Sequence, residues 1–261
     1  MDFTYDNFNS LNLIFENFLN ISVLSENINT CSINENVDLV ANMMNDKDFD
    51  IYGVADENGA IIGYIENNSL STGKVKDHYV EFSTDELLSD STSLIKLIEV
   101  FKENNKKRMF ILEHNKITRI VTVADLHKQP MRMLIFSYIS LLEMQITSKI
   151  KEMYPENKWK KYLSKDRLET AQTLYNKRYK KNEALELIDS TQLCDKGTIL
   201  RKSDELFSEL QFVSKKEFKG FFKKLENLRN HTAHSQESLY EDSNELIDLI
   251  LKVKDMCHIL Q

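Results

Sequence analysis

The first half of the chain contains an internal repeat, whose two copies span residues 37–65 and 94–121. Each copy is predicted to form an amphipathic helix, a short apolar strand, a tight turn and a second apolar strand. The predicted strand pairs are residues 51–55 with 61–65 and residues 109–112 with 117–121. The dipeptide Asn58-Gly59 predicts positive φ at both of these central positions and is typical of a hairpin turn between such strands. A supersecondary unit that occurs twice in this order is not a chance arrangement and indicates two similar structural units.

The two prolines, Pro130 and Pro155, divide the chain unequally. Before Pro130, short apolar segments alternate with helical ones, and after it nearly every segment has helical periodicity. Because proline disfavours helix at the preceding residue, we place the domain boundary at Gln129-Pro130. The predicted organisation is an N-terminal helix at 1–20, an α+β module at 21–130 and an all-α bundle at 131–261.

Five helices are expected in the bundle. They are predicted at residues 131–154, 164–180, 199–212, 214–230 and 241–259. Gly197 is taken as a marker of the loop 190–198. Ser214 is the predicted N-cap of the fourth helix, with Glu217 completing a capping box.

The net charge of −7 conceals an asymmetry between the two halves. Residues 1–130 carry 11 basic and 21 acidic side chains, whereas residues 149–224 carry 19 basic and 12 acidic ones. A basic helical half attached to an acidic half favours a polyanion-binding part and a separate regulatory part. The same lysines would also be explained by helix faces that are simply solvated.

Composition limits the class of protein and its location. With 41% hydrophobic and 29% charged residues, a globular fold is expected. There is no apolar run of ~18 residues, so we expect no membrane contact. There is no signal-peptide pattern either, so a cytoplasmic location is expected. The three cysteines form no CxxC pair, which argues against disulfides and a cysteine zinc site.

The repeated unit resembles the CBS domain over roughly residues 21–130. CBS domains occur in tandem, and a Thr/Ser-x-x-Asp sequence after the last strand contacts the ribose and phosphate of a bound adenosine nucleotide. Thr122 and Asp125 match that sequence. The resemblance therefore implies a regulatory adenine nucleotide, and a carboxylate suits ribose hydroxyls as a hydrogen-bond acceptor. The alternative is that the two residues only cap a helix.

Copy one departs from this CBS sequence. Glu66 replaces the threonine and Ser69 replaces the aspartate. An added carboxylate would repel a phosphate, so we expect an empty or altered site there and at most one nucleotide per chain. In copy two, Arg119 stands where the family usually has glycine. It would either block the pocket or supply a phosphate contact.

The most informative segment for chemistry is 223–234, which ends in Arg229-Asn230-His231-Thr232-Ala233-His234. It resembles the Arg-Asn-x-x-x-His signature of the HEPN superfamily of small helical ribonucleases. An arginine holds phosphate through parallel N–H donors, and a histidine transfers protons near neutral pH.

The resemblance implies RNA cleavage without a metal. The substrate's 2′-hydroxyl attacks the adjacent phosphate, giving a 2′,3′-cyclic phosphate and a 5′-hydroxyl. His234 is the expected proton-transfer residue, Arg229 stabilises the phosphoryl oxygens, and Asn230 orients the histidine or the phosphate. Glu143, in the first bundle helix, is expected to point at Arg229.

Arg229 and His234 do not share a helical face. Five residues apart, they lie about 140° apart on an ideal helix. Either the helix loosens after Asn230, or the site is composite and formed by two protomers, as the HEPN resemblance implies. The non-catalytic alternative is that Arg229 pairs with a surface carboxylate and His234 caps the helix end.

Two rival schemes use the same segment. His231 and His234 have the i, i+3 spacing of metal ligands, but no glutamate follows His231 as zincin chemistry requires. Some HEPN toxins are silenced by nucleotide transfer onto a tyrosine two residues after the histidine, where this chain has Gln236. Neither scheme is favoured, and no metal is expected.

Together the two resemblances predict a homodimer of two-domain chains. A CBS pair would sense a small molecule, and a HEPN domain would cleave RNA as a stress or antiviral effector with toxin-like action. No cofactor is expected for catalysis. The alternative is a non-catalytic nucleotide-sensing dimer or an RNA-binding module.

Overall fold

The computed structural model describes residues 13–14, 19–67, 72–180, 185–232 and 239–260. The chain divides into two compact units. Phe15–Lys128 forms one, here called the α/β unit, and Gln129–Gln261 with Met1–Ile14 forms the other, called the helical unit. Among the described residues, no helix is both long and apolar enough to span a lipid bilayer.

The α/β unit contains eight strands and two α-helices within its described residues. They are β1 (Glu26–Asn27), β2 (Thr30–Ser32), α1 (Val37–Asp46), β3 (Ile51–Ala55), β4 (Ile61–Glu66), β5 (Val80–Glu81), β6 (Leu87–Ser89), α2 (Leu94–Asn104), β7 (Arg108–Glu113) and β8 (Lys116–Thr122). The strands form two sheets, ordered β2-β3-β4-β5 and β1-β8-β7-β6.

The structure confirms the internal repeat. Ile51 and Arg108 begin β3 and β7, and Val37 and Leu94 begin α1 and α2, so strand and helix recur at the same offset. In both copies one parallel pair, β2 with β3 or β6 with β7, adjoins an antiparallel hairpin. Each sheet is then completed by a short antiparallel strand from outside the hairpin, β5 beside β4 and β1 beside β8.

The two hairpin turns differ from each other. In copy one only Gly59 has positive φ, so the expectation of positive φ at both central positions is wrong there. The Asp56 carboxylate accepts hydrogen bonds from the N–H groups of Asn58 and Ala60, at 2.9 and 2.8 Å, and these bonds build a wider turn. In copy two His114 and Asn115 both have positive φ, as a tight two-residue hairpin turn requires.

The helical unit contains six α-helices within its described residues. They are α3 (Gln129–Met153), α4 (Lys165–Tyr179), α5 (Leu193–Lys202), α6 (Asp204–Glu209), α7 (Lys215–Thr232) and α8 (Ser243–Ile259). α3 packs against α5, α7 and α8, and its buried residues include Leu134, Tyr138, Leu142 and Ile146. Pro130 lies in the first turn of α3, where a missing N–H costs no helical hydrogen bond.

The predicted single helix at 199–212 is wrong. α5 begins at Leu193, and Ser203 separates it from α6. The Ser203 hydroxyl accepts from the Leu206 N–H at 3.1 Å and so starts a new helix. Gly197 lies inside α5 rather than in a loop. A Cβ at this position would lie 2.3 Å from Cδ1 of Phe222 on α7, so no larger residue fits there. Here glycine permits a close approach of two helices.

Candidate functional site

Arg229 and Asn230 lie in the last turn of α7. The helix starts where the sequence predicts, since the Ser214 hydroxyl accepts from the Glu217 N–H at 3.1 Å. One face of α7 is buried, and that face consists of Phe218, Phe222, Leu225, Leu228 and Thr232. Arg229 lies at the border of this face with its side chain 40% exposed, and Asn230 lies on the exposed side.

Glu143 lies beside Arg229, where the sequence places it. The Glu143 Oε2 is 3.9 Å from Nη1 of Arg229, and the Glu143 side chain is 25% exposed. The other carboxylate oxygen, Oε1, accepts from the Nζ of Lys196 at 2.7 Å. The carboxylate therefore bridges two cations, one held tightly and one loosely.

Lys196 is a buried cation, with its side chain only 5% exposed. A charged ammonium removed from water requires a compensating charge. Glu143 supplies it from the neighbouring helix α3. Lys196, Glu143 and Arg229 thus join α5, α3 and α7 in one ion-pair network.

The end of α7 is fixed by hydrogen bonds. The Nη1 of the buried Arg132 donates to the His231 carbonyl at 2.8 Å, and a cation suits a helix C-terminus. The His231 Nδ1–H donates to the Leu239 carbonyl at 3.2 Å. α7 continues to Thr232, so it does not loosen directly after Asn230. His234 lies outside the described residues.

A second polar cluster lies on α5 next to Lys196. Arg167 donates through Nε to Asp195 at 2.6 Å and through Nη2 to the sulfur of Cys194 at 2.7 Å. Burial, followed by the negative charge of Glu226, raises the pKa of Cys194 to about 11, and Arg167 opposes this shift only in part. The Cys194 side chain is therefore a neutral thiol near pH 7.

In the α/β unit, Thr122 and Asp125 form a reciprocal cap at the start of the short 3₁₀-helix Val123–His127. One Asp125 oxygen, Oδ2, accepts from the Thr122 backbone N–H at 2.6 Å and from the Thr122 hydroxyl at 3.0 Å. The other, Oδ1, lies 2.6 Å from the Nζ of Lys128. Asp125 is the residue predicted to bind ribose, and both of its carboxylate oxygens are thus engaged within the protein.

Arg119 was expected either to block the nucleotide pocket or to contact a phosphate, but in the structure it makes a tertiary contact instead. Its Nη2 donates to the carbonyls of Ser22 and Ser25, at 2.7 and 2.8 Å. Arg119 therefore ties β8 to the segment before β1. An Nη2 that donates to two backbone carbonyls is not presented to a phosphate.

The corresponding region of copy one contains a cleft of about 510 Å³. It is lined by Asp50, Ile51, Glu66, Asn67, Lys107 and Arg108. Glu66 forms an ion pair with Arg108, whose guanidinium lies 5.1 Å from the Tyr64 ring centroid. The expected repulsion between Glu66 and a phosphate is therefore offset by Arg108, which the sequence argument omitted. Ser69 lies outside the described residues.

Sequence reasoning missed Lys196 and Arg108 for different reasons. Lys196 precedes Gly197, and that glycine places Lys196 in the predicted loop. Arg108 begins β7 at the position that is equivalent to Ile51 in copy one, so the internal repeat was the signal that could have placed it in the cleft. Within the described residues, no three His, Cys, Asp or Glu side chains form a group suited to a metal ion.

No protein-family model matches the chain, and no curated protein matches it. The chain is similar to the solved structure of an uncharacterized conserved protein from Pyrococcus horikoshii, with 18% identity, a TM-score of 0.38, and coverage of 41% of this chain and 89% of that one. It is also similar to CBSX2 in complex with AMP, with 15% identity, a TM-score of 0.37, and coverage of 41% and 93%.

A third similar structure is the CBS domain of a membrane protein from Sphaerobacter thermophilus. Here the identity is 13%, the TM-score 0.39, and the coverage 46% of this chain and 93% of that one. Structural similarity at these TM-scores does not indicate a ligand or an activity for this chain. The α/β unit is therefore characterised by its own strand order and register.

Proposed function

We propose that the helical unit is a metal-independent endoribonuclease of the HEPN type and that the α/β unit is a CBS-type pair that regulates it. The observation that carries the proposal is the position of Arg229. It lies in the last turn of α7, next to exposed Asn230, with the Glu143 carboxylate 3.9 Å away. A half-exposed guanidinium that forms only a loose ion pair with the residues the structure describes retains N–H donors for a phosphodiester.

The reaction requires a cation and a proton-transfer group at one phosphate. Arg229 stabilises the negative charge that develops on the phosphoryl oxygens, and His234 transfers the proton of the attacking 2′-hydroxyl. Asn230 orients the imidazole or the phosphate. In a symmetric dimer, the imidazole that meets Arg229 would come from the second protomer, across the two-fold axis.

Exposed lysines on α7 support an RNA substrate. Lys216, Lys219 and Lys223 form no ion pair with any residue that the structure describes. Their spacing of three and four residues places them on one exposed helical face, here called the lysine ridge, which continues to Asn230. Because α7 rises ~1.5 Å per residue, the ridge and Asn230 together extend for about 20 Å, enough for several nucleotides.

The test is cleavage of labelled single-stranded RNA in EDTA by the full-length protein, with and without adenine nucleotides. We expect cleavage that Arg229→Ala lowers by about a hundredfold or more and that His234→Ala lowers by a similar factor. Arg178→Ala, which alters an exposed arginine on α4, is the matched control and should retain activity. Intact RNA under every nucleotide condition would refute the nuclease.

The regulatory ligand we propose for the α/β unit is an adenine nucleotide. Support comes from the tandem repeat and from Thr122 and Asp125 at the end of β8. Since Lys128 holds the Oδ1 of Asp125 at 2.6 Å, ribose hydroxyls would have to compete with this ammonium. Modest affinity is therefore expected.

A thermal shift titration with AMP, ADP, ATP and S-adenosylmethionine tests this ligand. One of the four should raise the melting temperature of the wild type, and Asp125→Ala should abolish the rise. Asp125→Ala should also lower the unliganded stability by about 1 kcal/mol through loss of the cap. Glu57→Ala, in the exposed copy-one turn, should retain the full ligand response.

An RNA-binding module without turnover is the second candidate. The Glu143 carboxylate favours it, because an anion beside Arg229 competes with phosphate. In that case RNA would bind with a steep dependence on salt, Arg229→Ala would weaken the binding, and no product would form.

A further inference from the structure

We infer that Lys196 is a positioning residue for Arg229. Lys196 holds the Glu143 carboxylate so that Glu143 orients the Arg229 guanidinium without neutralising it. This inference rests on the proposed function in one respect, because it requires that Arg229 binds a phosphate of RNA.

The unequal use of the two Glu143 oxygens supports this role. Oε1 is 2.7 Å from the Nζ of Lys196, whereas Oε2 is 3.9 Å from Nη1 of Arg229. Two cations share one anion, so the three side chains carry a net charge of about +1. The excess charge resides on Arg229, which is the exposed member.

Packing between α5 and α7 places Lys196 in this network. Gly197 lets α5 approach α7 so closely that a Cβ would lie 2.3 Å from the Phe222 ring. Lys196 therefore enters the interior beside α7, and Arg229 lies two helical turns after Phe222. Lys196 is also near the N-terminus of α5, where the helix dipole disfavours a cation, so Glu143 is needed to stabilise it.

Removal of Lys196 has a definite electrostatic consequence. Without the ammonium, the Glu143 carboxylate has a single cationic neighbour in the network and closes on Arg229. The closed pair is neutral, and its guanidinium must break the ion pair before it binds phosphate. Neutralising Glu143 as well would release Arg229 again. A double variant that lacks both charges should therefore regain the RNA affinity that is lost when Lys196 alone is replaced.

The experiment measures the dissociation constant of a short 2′-O-methyl RNA in EDTA, a probe that lacks the attacking hydroxyl. Lys196→Met should weaken binding about tenfold, equivalent to ~1.4 kcal/mol. Lys196→Met combined with Glu143→Gln should bind within about twofold of the wild type. Lys149→Met, which removes the 3.2 Å ion pair between α3 and Glu209, is the matched control and should bind normally.

Rescue in the double variant separates positioning from a purely structural role. If Lys196→Met fails to fold, the RNA affinity of the double variant alone tests the inference, because the double variant buries no unpaired charge. A double variant that is unfolded, or that binds RNA as weakly as Arg229→Ala, overturns the inference. If Arg229→Ala binds RNA as tightly as the wild type, the proposed function itself fails.

Discussion

Cys194 illustrates how single residues limit the chemistry of the helical unit. Its thiol lies on α5 next to Lys196 and is only partly exposed. Burial and the Glu226 carboxylate raise its pKa to about 11, so almost no thiolate exists near pH 7. Because the thiolate is the nucleophile, this cluster is not suited to cysteine catalysis.

Glu226→Gln should make Cys194 more reactive. Removing the carboxylate removes a charge that raises the thiol pKa, so the pKa falls and the thiolate fraction at pH 8 increases. We expect iodoacetamide to alkylate Cys194 several-fold faster, as measured by mass spectrometry of the native protein. Glu169→Gln on exposed α4 should leave the rate unchanged. Equal rates in all three proteins would contradict the assigned electrostatic cause.

At the residue scale, the local spacing of Thr122 and Asp125 and the place of Glu143 on the first bundle helix predicted the correct neighbours. Glu143 was expected near Arg229 as a polar residue of the first bundle helix, and Thr122 and Asp125 do lie together at the end of β8. The partners of Lys196 and Arg119 were not predictable, because each depends on a tertiary contact with a distant segment. Such contacts leave no periodic signal in a single sequence.

At the scale of elements, the contact between α5 and α7 positions the residues of the candidate site. Gly197 faces the Phe222 ring, whose centroid is 4.6 Å from that of Phe218. Gly220 lies on the exposed side of α7, and a Cβ there would have no neighbour within 4 Å among the described residues. The two helical glycines therefore have opposite roles.

Gly197→Ala should destabilise the protein and Gly220→Ala should not. At Gly197, overpacking against Phe222 outweighs the gain in helix propensity, for a net loss of about 1 to 2 kcal/mol. At Gly220, only the propensity gain remains, and stability should rise by up to about 1 kcal/mol. Urea unfolding followed by circular dichroism measures both. A neutral or stabilising Gly197→Ala would contradict the close approach of the helices.

Neutralising the lysine ridge should weaken RNA binding and reduce its dependence on salt. Changing Lys216, Lys219 and Lys223 to glutamine removes up to three phosphate contacts, and the slope of log K against log salt should fall by about 2. The measurement is fluorescence anisotropy with a labelled single-stranded RNA over a range of salt. A triple variant of exposed Lys158, Lys165 and Lys177 is the control, and an equal loss there would assign the effect to overall charge.

Helix periodicity predicted most of the bundle and failed at one place. The helices predicted at 164–180 and 241–259 are found as α4 and α8, at Lys165–Tyr179 and Ser243–Ile259. The failure is at α5, because Gly197 and buried Lys196 resemble loop residues in sequence. Glycine is unfavourable in an isolated helix, and here the gain from packing on α7 outweighs that cost.

For the whole molecule, the internal repeat was the most reliable sequence signal. It predicted two similar units, and the helix and hairpin of copy one recur in copy two at a constant offset along the chain. The strands that complete the sheets, β1 and β5, are very short, at Glu26–Asn27 and Val80–Glu81, and gave no signal. Their pairing with β8 and β4 depends on the tertiary arrangement, which short segments do not encode locally.

The most direct test of the central claim is the chemistry of the RNA ends, measured by mass spectrometry after incubation in EDTA. If Arg229 and His234 act on one phosphodiester, the 5′ fragments should end in a 2′,3′-cyclic phosphate, and Arg229→Ala should give almost none. Fragments that end in a 3′-hydroxyl, or RNA that stays intact at every protein and nucleotide concentration, would contradict the account.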